Sequence, residues 1–96
     1  GEKIAMKIVY PAVFTKKEDS SGYRAYFPDL EGCVAEGTDL EDTADRAREA
    51  ATDWILVEME EGLDLPEISH EEDLKLEKGS VVKYLTMTVQ LVPGYD

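Results

Sequence analysis

The stretch YRAYFPDLEGCVAEGTDLED (residues 23–42) decides the fold, because within it the sequence changes from a strand pattern to a helix pattern. Residues 23–28 alternate between the two faces of a predicted strand, with Tyr23 and Phe27 on the same face. Pro28 and Gly32 bracket a turn, and a short strand follows over residues 33–36. The short connection predicts that these two strands pair antiparallel.

A long amphipathic helix is predicted directly after this third strand of the chain, through residue 61. Thr38-x-x-Glu41 fits a capping box, and Asp39 is also a competent N-cap. Gly62 is the expected end of the helix. The apolar stripe is mostly alanine at its start, which allows close packing on a sheet, and comprises Leu40, Ala44, Ala47, Ala51, Trp54 and Ile55.

The flanking sequence supplies the remaining elements. Residues 6–15 (MKIVYPAVFT) are rich in β-branched and aromatic residues and predict the first strand, in which Pro11 argues for a bulge or an unpaired side. A polar turn over residues 16–22 makes the first three strands an antiparallel meander. Ser69-x-x-Glu72 fits the capping box of a short helix up to Lys78. Residues 81–92 (VVKYLTMTVQLV) predict a long final strand.

Together these elements predict an α+β domain with the order β-β-β-α-α-β and the long helix on one face of the sheet. The helical excursion before the last strand allows that strand to run parallel to a neighbour through a right-handed crossover. The predicted core faces of the two long strands are Met6, Ile8, Tyr10, Ala12 and Phe14, and Leu85, Met87, Val89 and Leu91. We expect one domain over residues 1–96, with residues 1–5 a flexible leader or a remnant of tag removal.

Charge dominates the composition, with 22 acidic and 10 basic residues and a formal charge of −12 at pH 7. Such a charge repels nucleic acid and anionic membranes, because binding to either depends on Lys and Arg. It suits a basic partner, although solubility alone would also account for it. Glu58, Glu60 and Glu61 oppose the helix dipole, so they serve either a partner or solubility and not helix stability.

The residue types needed for catalysis are scarce. The lone His70 has no histidine partner for zinc, and the lone Cys33 is interpreted as a small buried apolar residue in a reducing compartment. Asp29 is better explained as a turn-forming residue than as a catalytic one. No apolar run approaches the ~18 residues of a membrane span. We therefore predict a cytoplasmic, non-enzymatic binding protein without metal or cofactor.

Several motifs taken together resemble the HicB antitoxin family. They are Tyr10-Pro11-Ala12-Val13-Phe14, Gly22-Tyr23-x-x-x-Phe27-Pro28-Asp29-Leu30-x-Gly32-Cys33, Gly37 followed by Leu40-Glu41, and Glu61-Gly62-x-x-x-Pro66. The similarity covers residues 6–92. It implies a partial ribonuclease-H-like sheet with the last strand beside the first. It also implies a homo-dimer or tetramer that docks on a HicA-type toxin, a small basic mRNA-cleaving ribonuclease, and covers its catalytic histidine.

The chain departs from the family pattern at its end. Family members typically carry a C-terminal DNA-binding segment, whereas residues 93–96 follow directly after the predicted last strand. We therefore expect no DNA-binding domain in this chain and no direct binding of nucleic acid. Two alternatives stay open beside the antitoxin interpretation: a stand-alone homo-oligomer with a regulatory or small-ligand role, and a weak ribonuclease-H-like nuclease.

For the partner-binding surface we predict exposed aromatic and acidic residues, because aromatics contribute strongly to interfaces and acids attract a basic partner. The second strand and the turn after it contribute Tyr23, Tyr26, Asp29 and Glu31, and the helix end contributes Glu58, Glu60 and Glu61. For Tyr23 a place in the core is the alternative.

Overall fold

A four-stranded sheet with the strand order β3-β2-β1-β4 carries one long helix on one of its faces. The computed structural model describes residues 4–91. Its elements are β1 (Ile4–Lys16), β2 (Tyr23–Tyr26), β3 (Val34–Gly37), α1 (Leu40–Glu60), a 3-10 turn (Glu71–Asp73) and β4 (Val81–Leu91). The predicted α+β class and the position of the last strand beside the first are confirmed.

The direction of the last strand differs from the expected parallel crossover. β4 pairs antiparallel with β1 in a continuous register from Ile4↔Leu91 to Phe14↔Val81. By the pairing registers, Gly37 and Val81 both lie at the end of the sheet where β1 finishes. The helix carries the chain away from this end, and the connector of residues 61–80 brings it back. Two traverses, instead of one helix, therefore separate β3 from β4, and β4 runs opposite to β1.

The core lies between α1 and the face of the sheet that the alternation predicted. Small alanine side chains from the first part of the helix let it approach the strands closely, whereas Ile55 fills the space nearer its end. Met6 and Ile8 are half-buried, and the side chain of Leu91 lies outside the described residues. The buried core comprises Tyr10, Ala12, Phe14, Ala25, Phe27, Leu30, Cys33, Ala44, Ala47, Ala51, Ile55, Leu85, Met87 and Val89.

The helix start is capped one residue later than the predicted box. Asp39 is the N-cap, and its Oδ1 accepts the Asp42 N–H at 2.8 Å. Asp42 returns the interaction, since its Oδ2 accepts the Thr38 N–H at 2.9 Å. The Thr38-x-x-Glu41 box is therefore wrong. The two aspartates take its place, which satisfies N–H groups that a helix start leaves without intrahelical partners.

The helix end follows the prediction closely. Gly62 adopts a positive φ of 72°, and its N–H donates to the Met59 carbonyl at 3.1 Å. The Leu63 N–H donates to the Glu58 carbonyl at 3.0 Å. These two bonds form a Schellman motif, in which glycine supplies the left-handed residue after the C-cap. The last helical residue is Glu60, with Glu61 as the C-cap, one residue short of the predicted end.

The predicted short helix from Ser69 to Lys78 is wrong, because only the 3-10 turn Glu71–Asp73 forms there. Ser69 donates both its N–H and its hydroxyl to the Asp29 carboxylate, 40 residues earlier in the chain. A tertiary contact therefore takes the place of the local capping box with Glu72. The connector consequently has little regular structure of its own.

The predictions for the two chain ends can be compared with the structure only within residues 4–91. Ile4 and Ala5, expected in a flexible leader, belong to β1 and pair with Leu91 and Gln90. Residues 1–3 and 92–96 lie outside the described part of the chain. Among residues 4–91, no helix is long and apolar enough to cross a membrane.

Candidate partner-binding surfaces

The two tyrosines predicted as contacts lie on opposite faces of the sheet. Tyr23 shares the helix-side face with the buried Ala25 and is half-buried. Tyr26 pairs with Val13 and is 40% exposed on the other face. The sheet therefore separates these two side chains, and one flat interface could not hold both.

Asp29 fastens the connector to the turn after β2. Its Oδ2 accepts the Ser69 N–H at 2.8 Å, and its Oδ1 accepts the Ser69 hydroxyl proton. Nearby, the Tyr10 hydroxyl donates to the Pro66 carbonyl, and burial followed by the Asp29 charge raises the pKa of Tyr10. Both carboxylate oxygens of Asp29 are thus engaged inside the protein, which gives this residue a structural role.

The backbone of Glu31 and the helix residue Glu58 are both neighbours of one aromatic side chain, Trp54. The Trp54 indole N–H donates to the Glu31 carbonyl at 2.9 Å, so the turn after β2 rests against the helix. Glu58 follows Trp54 by four residues and is its neighbour on the helix surface. Glu31 is exposed, whereas Glu58 and Trp54 are half-buried. This side of the molecule therefore combines two of the predicted acids with an accessible aromatic edge.

Glu60 and Glu61 belong to a larger acidic surface that the sequence reasoning missed. Residues 49–74 contain ten acids and neither Lys nor Arg. They lie on the second half of α1 and along the connector, and all except the half-buried Glu58 are exposed. The connector part extends away from the helix, since the Glu71 N–H donates to the hydroxyl of Tyr84, whose side chain lies on the opposite face of the sheet. Counting bases along the chain, instead of summing charge over all of it, would have found this surface. Its members are Glu49, Asp53, Glu58, Glu60, Glu61, Asp64, Glu67, Glu71, Glu72 and Asp73.

Tyr26 belongs to a different environment, a groove of about 710 Å³ in which basic and acidic side chains mix. Arg24 donates from Nε to Glu36 at 3.1 Å, and Lys17 pairs with the same carboxylate. Hydrogen bonds from Lys17 and then Arg24 lower the pKa of Glu36. The groove is lined by Thr15, Lys16, Lys17, Glu18, Asp19, Arg24, Tyr26, Lys75, Glu77 and Ser80.

Cys33 and His70, which were considered as catalytic or metal-binding residues, are members of neither the acidic surface nor the groove lining. Cys33 is buried in the core, and burial raises the pKa of its thiol to about 11, so it is protonated at neutral pH and a weak nucleophile. His70 is exposed and precedes the 3-10 turn without capping it through its side chain. Across residues 4–91, no group of three His, Cys, Asp or Glu side chains is placed to hold a metal ion.

Comparison with known proteins gives one family and several similar structures. The family described as "HicB_like antitoxin of bacterial toxin-antitoxin system" matches residues 10–92. A chain of a HicA3 and HicB3 toxin-antitoxin complex is 29% identical, with a TM-score of 0.61, over 81% of this chain and 95% of that chain. Among proteins with curated functions, none matches this chain.

Two further solved structures share the fold at lower identity. A chain of a toxin-antitoxin complex from Streptococcus pneumoniae is 20% identical, with a TM-score of 0.76, over 85% of this chain and 69% of that chain. The N-terminal domain of Burkholderia pseudomallei antitoxin HicB is 24% identical, with a TM-score of 0.70, over 81% of this chain and 95% of that domain. At these identities the likeness supports the fold alone.

Proposed function

Because this chain belongs to the HicB-like antitoxin family, we propose that it neutralises a HicA-type toxin by docking directly on it. The family match over residues 10–92 is the observation that carries the proposal. Support comes from the similar chain of the HicA3 and HicB3 complex, in which a toxin and an antitoxin are bound together. The chain would act without catalysis of its own, in the cytoplasm where an mRNA-cleaving toxin would find its substrate.

The acidic surface is the part of the molecule best suited to a basic toxin. Glu49 and Asp53 lie four residues apart on the exposed side of α1, a spacing at which like charges destabilise a helix. Glu60 and Glu61 stand at the helix end, where acids oppose the dipole. A basic partner would offset both kinds of repulsion and would be attracted over a distance of several ångströms.

We propose that the contact is centred where Trp54 lies beside Glu31 and Glu58. Tryptophan is among the residue types that contribute most to binding at protein interfaces. In this proposal Glu60 and Glu61 extend the contact along the helix. Asp29 and Tyr23 are left out of it, since the first is engaged with Ser69 and the second is half-buried on the helix side.

Tyr26 stays a separate prediction on the opposite face of the sheet. A toxin that bound only the part of the acidic surface on the helix would leave this side chain free. Replacing Tyr26 with Ala should therefore change toxin affinity much less than replacing Trp54 with Leu, provided both variants retain the unfolding midpoint of the parent protein. Equal losses would show that the toxin reaches around the sheet.

The direct test mixes the purified chain with a purified HicA-type toxin and follows RNA cleavage. We expect cleavage to stop at stoichiometric antitoxin and the two proteins to elute together. A toxin that remains fully active in a stoichiometric excess of this chain would disprove the proposal.

A second test distinguishes the contribution of the acidic surface to the association rate from that of the net charge of the whole chain. The triple variant Glu58→Gln, Glu60→Gln and Glu61→Gln should slow association at low salt more than it speeds dissociation. The matched control replaces Glu18, Glu41 and Glu77 with Gln, which removes the same total charge from exposed positions outside the acidic surface. If both triple variants slow association equally, only the net charge acts, and the surface assignment is wrong.

A further inference from the structure

Beside its buried stripe, α1 carries a second apolar stripe that remains partly exposed. Ala50, Trp54 and Val57 follow one another at intervals of four and three residues, so they share one side of the helix. Leu63 occupies the position after the Schellman glycine, where a side chain commonly contacts an apolar residue of the last helical turn, here Val57. Val57 and Leu63 are each 51% exposed, whereas Ala50 and Trp54 are half-buried and also pack against the core. We call these four residues the outer stripe.

Acidic side chains border the outer stripe on both sides. By the helical repeat, one group of acids lies about 90° around the helix from the stripe, and Glu58 lies about 70° from it in the other direction. Glu61, the C-cap, closes the stripe at its end. Within residues 4–91 no ion pair involves an acid of residues 49–74, so no cation of the described part of the chain neutralises these charges directly. The first group comprises Glu49, Asp53 and Glu60.

The shape of this surface favours a helix as its partner. The backbone N–H and C=O groups inside α1 are hydrogen-bonded to one another, so a strand cannot be added to it and docking must use side chains. A second α-helix repeats its apolar side chains at the same intervals of three and four residues, and the rows of one helix fit between those of the other. The small side chain of Ala50 allows the two axes to approach closely. From Ala50 to Glu60 the surface is about 15 Å long, which about ten residues of a partner helix would span.

The charges at the end of α1 set the direction of such a helix. The last turn contains no basic residue, and the negative end of the helix dipole lies beside Glu58, Glu60 and Glu61. The N-terminus of a helix carries the positive end of its dipole, so it is attracted to this end of α1. A partner helix that begins beside Glu61 and continues toward Ala50 runs antiparallel to α1.

We propose that the outer stripe binds a basic amphipathic α-helix of the toxin, packed antiparallel along α1. The apolar side of that helix contacts Trp54, Val57 and Leu63, and Lys and Arg on both of its flanks pair with the acids that border the stripe. This inference rests on the proposed function, because it names the part of the toxin that the acidic surface receives. It also goes further, since apolar contact as well as charge holds the complex, and part of the affinity therefore persists at high salt.

One substitution makes charge and apolar contact act in opposite directions. Val57→Glu adds a negative charge to the acidic surface, which would tighten the binding of a basic toxin if charge attraction alone acted. In our proposal the new carboxylate lies in the apolar contact, so the dissociation constant for a purified HicA-type toxin should rise about tenfold or more. Val34→Glu is the matched control, with the same added charge at a residue that is 58% exposed on the other face of the sheet. Its dissociation constant should stay close to that of the parent chain.

Photo-cross-linking tests the partner helix and its direction. A photoreactive phenylalanine analogue replaces the exposed Leu63 in one variant and the exposed Glu49 in another, and the toxin residues that become attached are identified by mass spectrometry. We expect both variants to attach to one toxin helix, the Leu63 variant nearer to its N-terminus and the Glu49 variant nearer to its C-terminus.

Three results would overturn this inference and leave the antitoxin proposal standing, provided the parent chain still stops RNA cleavage by the toxin. They are attachment to a strand or loop of the toxin, attachment in the reverse order along its helix, and a Val57→Glu variant that binds at least as tightly as the parent chain. A toxin that does not bind the parent chain at all contradicts the proposed function and this inference together.

Discussion

The two halves of α1 share one buried stripe but differ in how their exposed charges are arranged. In residues 40–48, Asp42 pairs with Arg46 at 3.2 Å and Asp45 pairs with Arg48 at 3.0 Å. In residues 49–60 every charged side chain is acidic. Both halves lie on the same sheet, so the difference is not a requirement of the fold. It suggests that the first half serves stability and that the second half is available to a partner.

The two ends of α1 differ in the same direction, since close packing and favourable charges are found at its start and opposing charges at its end. At the start, Gly37 approaches the helix so closely that a Cβ there would lie 2.6 Å from the Thr43 nitrogen. Glu41 and Asp42 in the first turn interact favourably with the helix dipole. At the other end no basic residue lies in the last turn, and Glu58 and Glu60 oppose the dipole. The Schellman motif at Gly62 closes this end, and Met59 packs against the core.

The largest expected effect concerns the shared buried stripe, on which both halves depend. Ile55 is fully buried, and Ile55→Ala removes three carbon atoms from the core and should lower the free energy of unfolding by about 2–5 kcal/mol. Urea unfolding followed by Trp54 fluorescence measures it. Val57→Ala is the control on the exposed side of the same half and should change stability by about 0.5 kcal/mol or less. A similar loss in both variants would mean that this half is not packed by Ile55.

The next effect tests the capped start of the helix. Asp39→Ala removes the oxygen that accepts the Asp42 N–H, and should cost about 0.5–2 kcal/mol of unfolding free energy. Asp53→Ala, an exposed acid in the second half, is the control and should cost much less, since alanine is the better helix former. If Asp53→Ala destabilised the protein as strongly as Asp39→Ala, the contrast between the two halves would be wrong.

The elements that local pattern specifies were predictable from the sequence. Alternation identified β1, β2 and β4, the change to a helical period after Gly37 identified α1, and Gly62 identified its end. The short helix failed because Ser69 binds Asp29, a contact between residues 40 positions apart that no local window contains. The direction of β4 failed for the same reason, since tertiary contacts set the path of the connector.

The candidate site was predictable in residue type more than in position. Period-two alternation already separates Tyr23 from Tyr26, so their opposite faces could have been foreseen. The contact between Trp54 and Glu31 could not have been predicted from the sequence, because it depends on how closely the turn after β2 packs on the helix. The acidic surface could have been predicted from the sequence, but only as a stretch that contains neither Lys nor Arg.

A smaller effect on the free energy of unfolding is expected from a Glu→Gln substitution at either end of the helix, with opposite signs at the two ends. Glu41→Gln in the first turn should lower the free energy of unfolding, and Glu60→Gln in the last turn should raise it, each by about 0.3–1 kcal/mol at low salt. Both residues are exposed, so packing changes little in either variant. Urea unfolding at low and high salt measures both, and salt should shrink the two effects. Two changes of the same sign would show that net charge, not the helix dipole, governs this helix.

The smallest effect is a pH dependence confined to the first half. The Thr38 N–H and then the Arg46 side chain lower the pKa of Asp42 below its usual 3.8. A carboxylate with a lowered pKa in the folded state stabilises the protein above its unfolded pKa, and this contribution is lost as the pH falls through the folded value. The free energy of unfolding of the parent chain minus that of Asp42→Asn should therefore be largest at neutral pH and shrink below 3.8. Acidification also relieves the repulsion among the other acids, but it does so in both proteins and cancels in the difference. A difference that stays constant from neutral to acidic pH would mean that Asp42 contributes through its hydrogen-bond geometry alone and not through its charge.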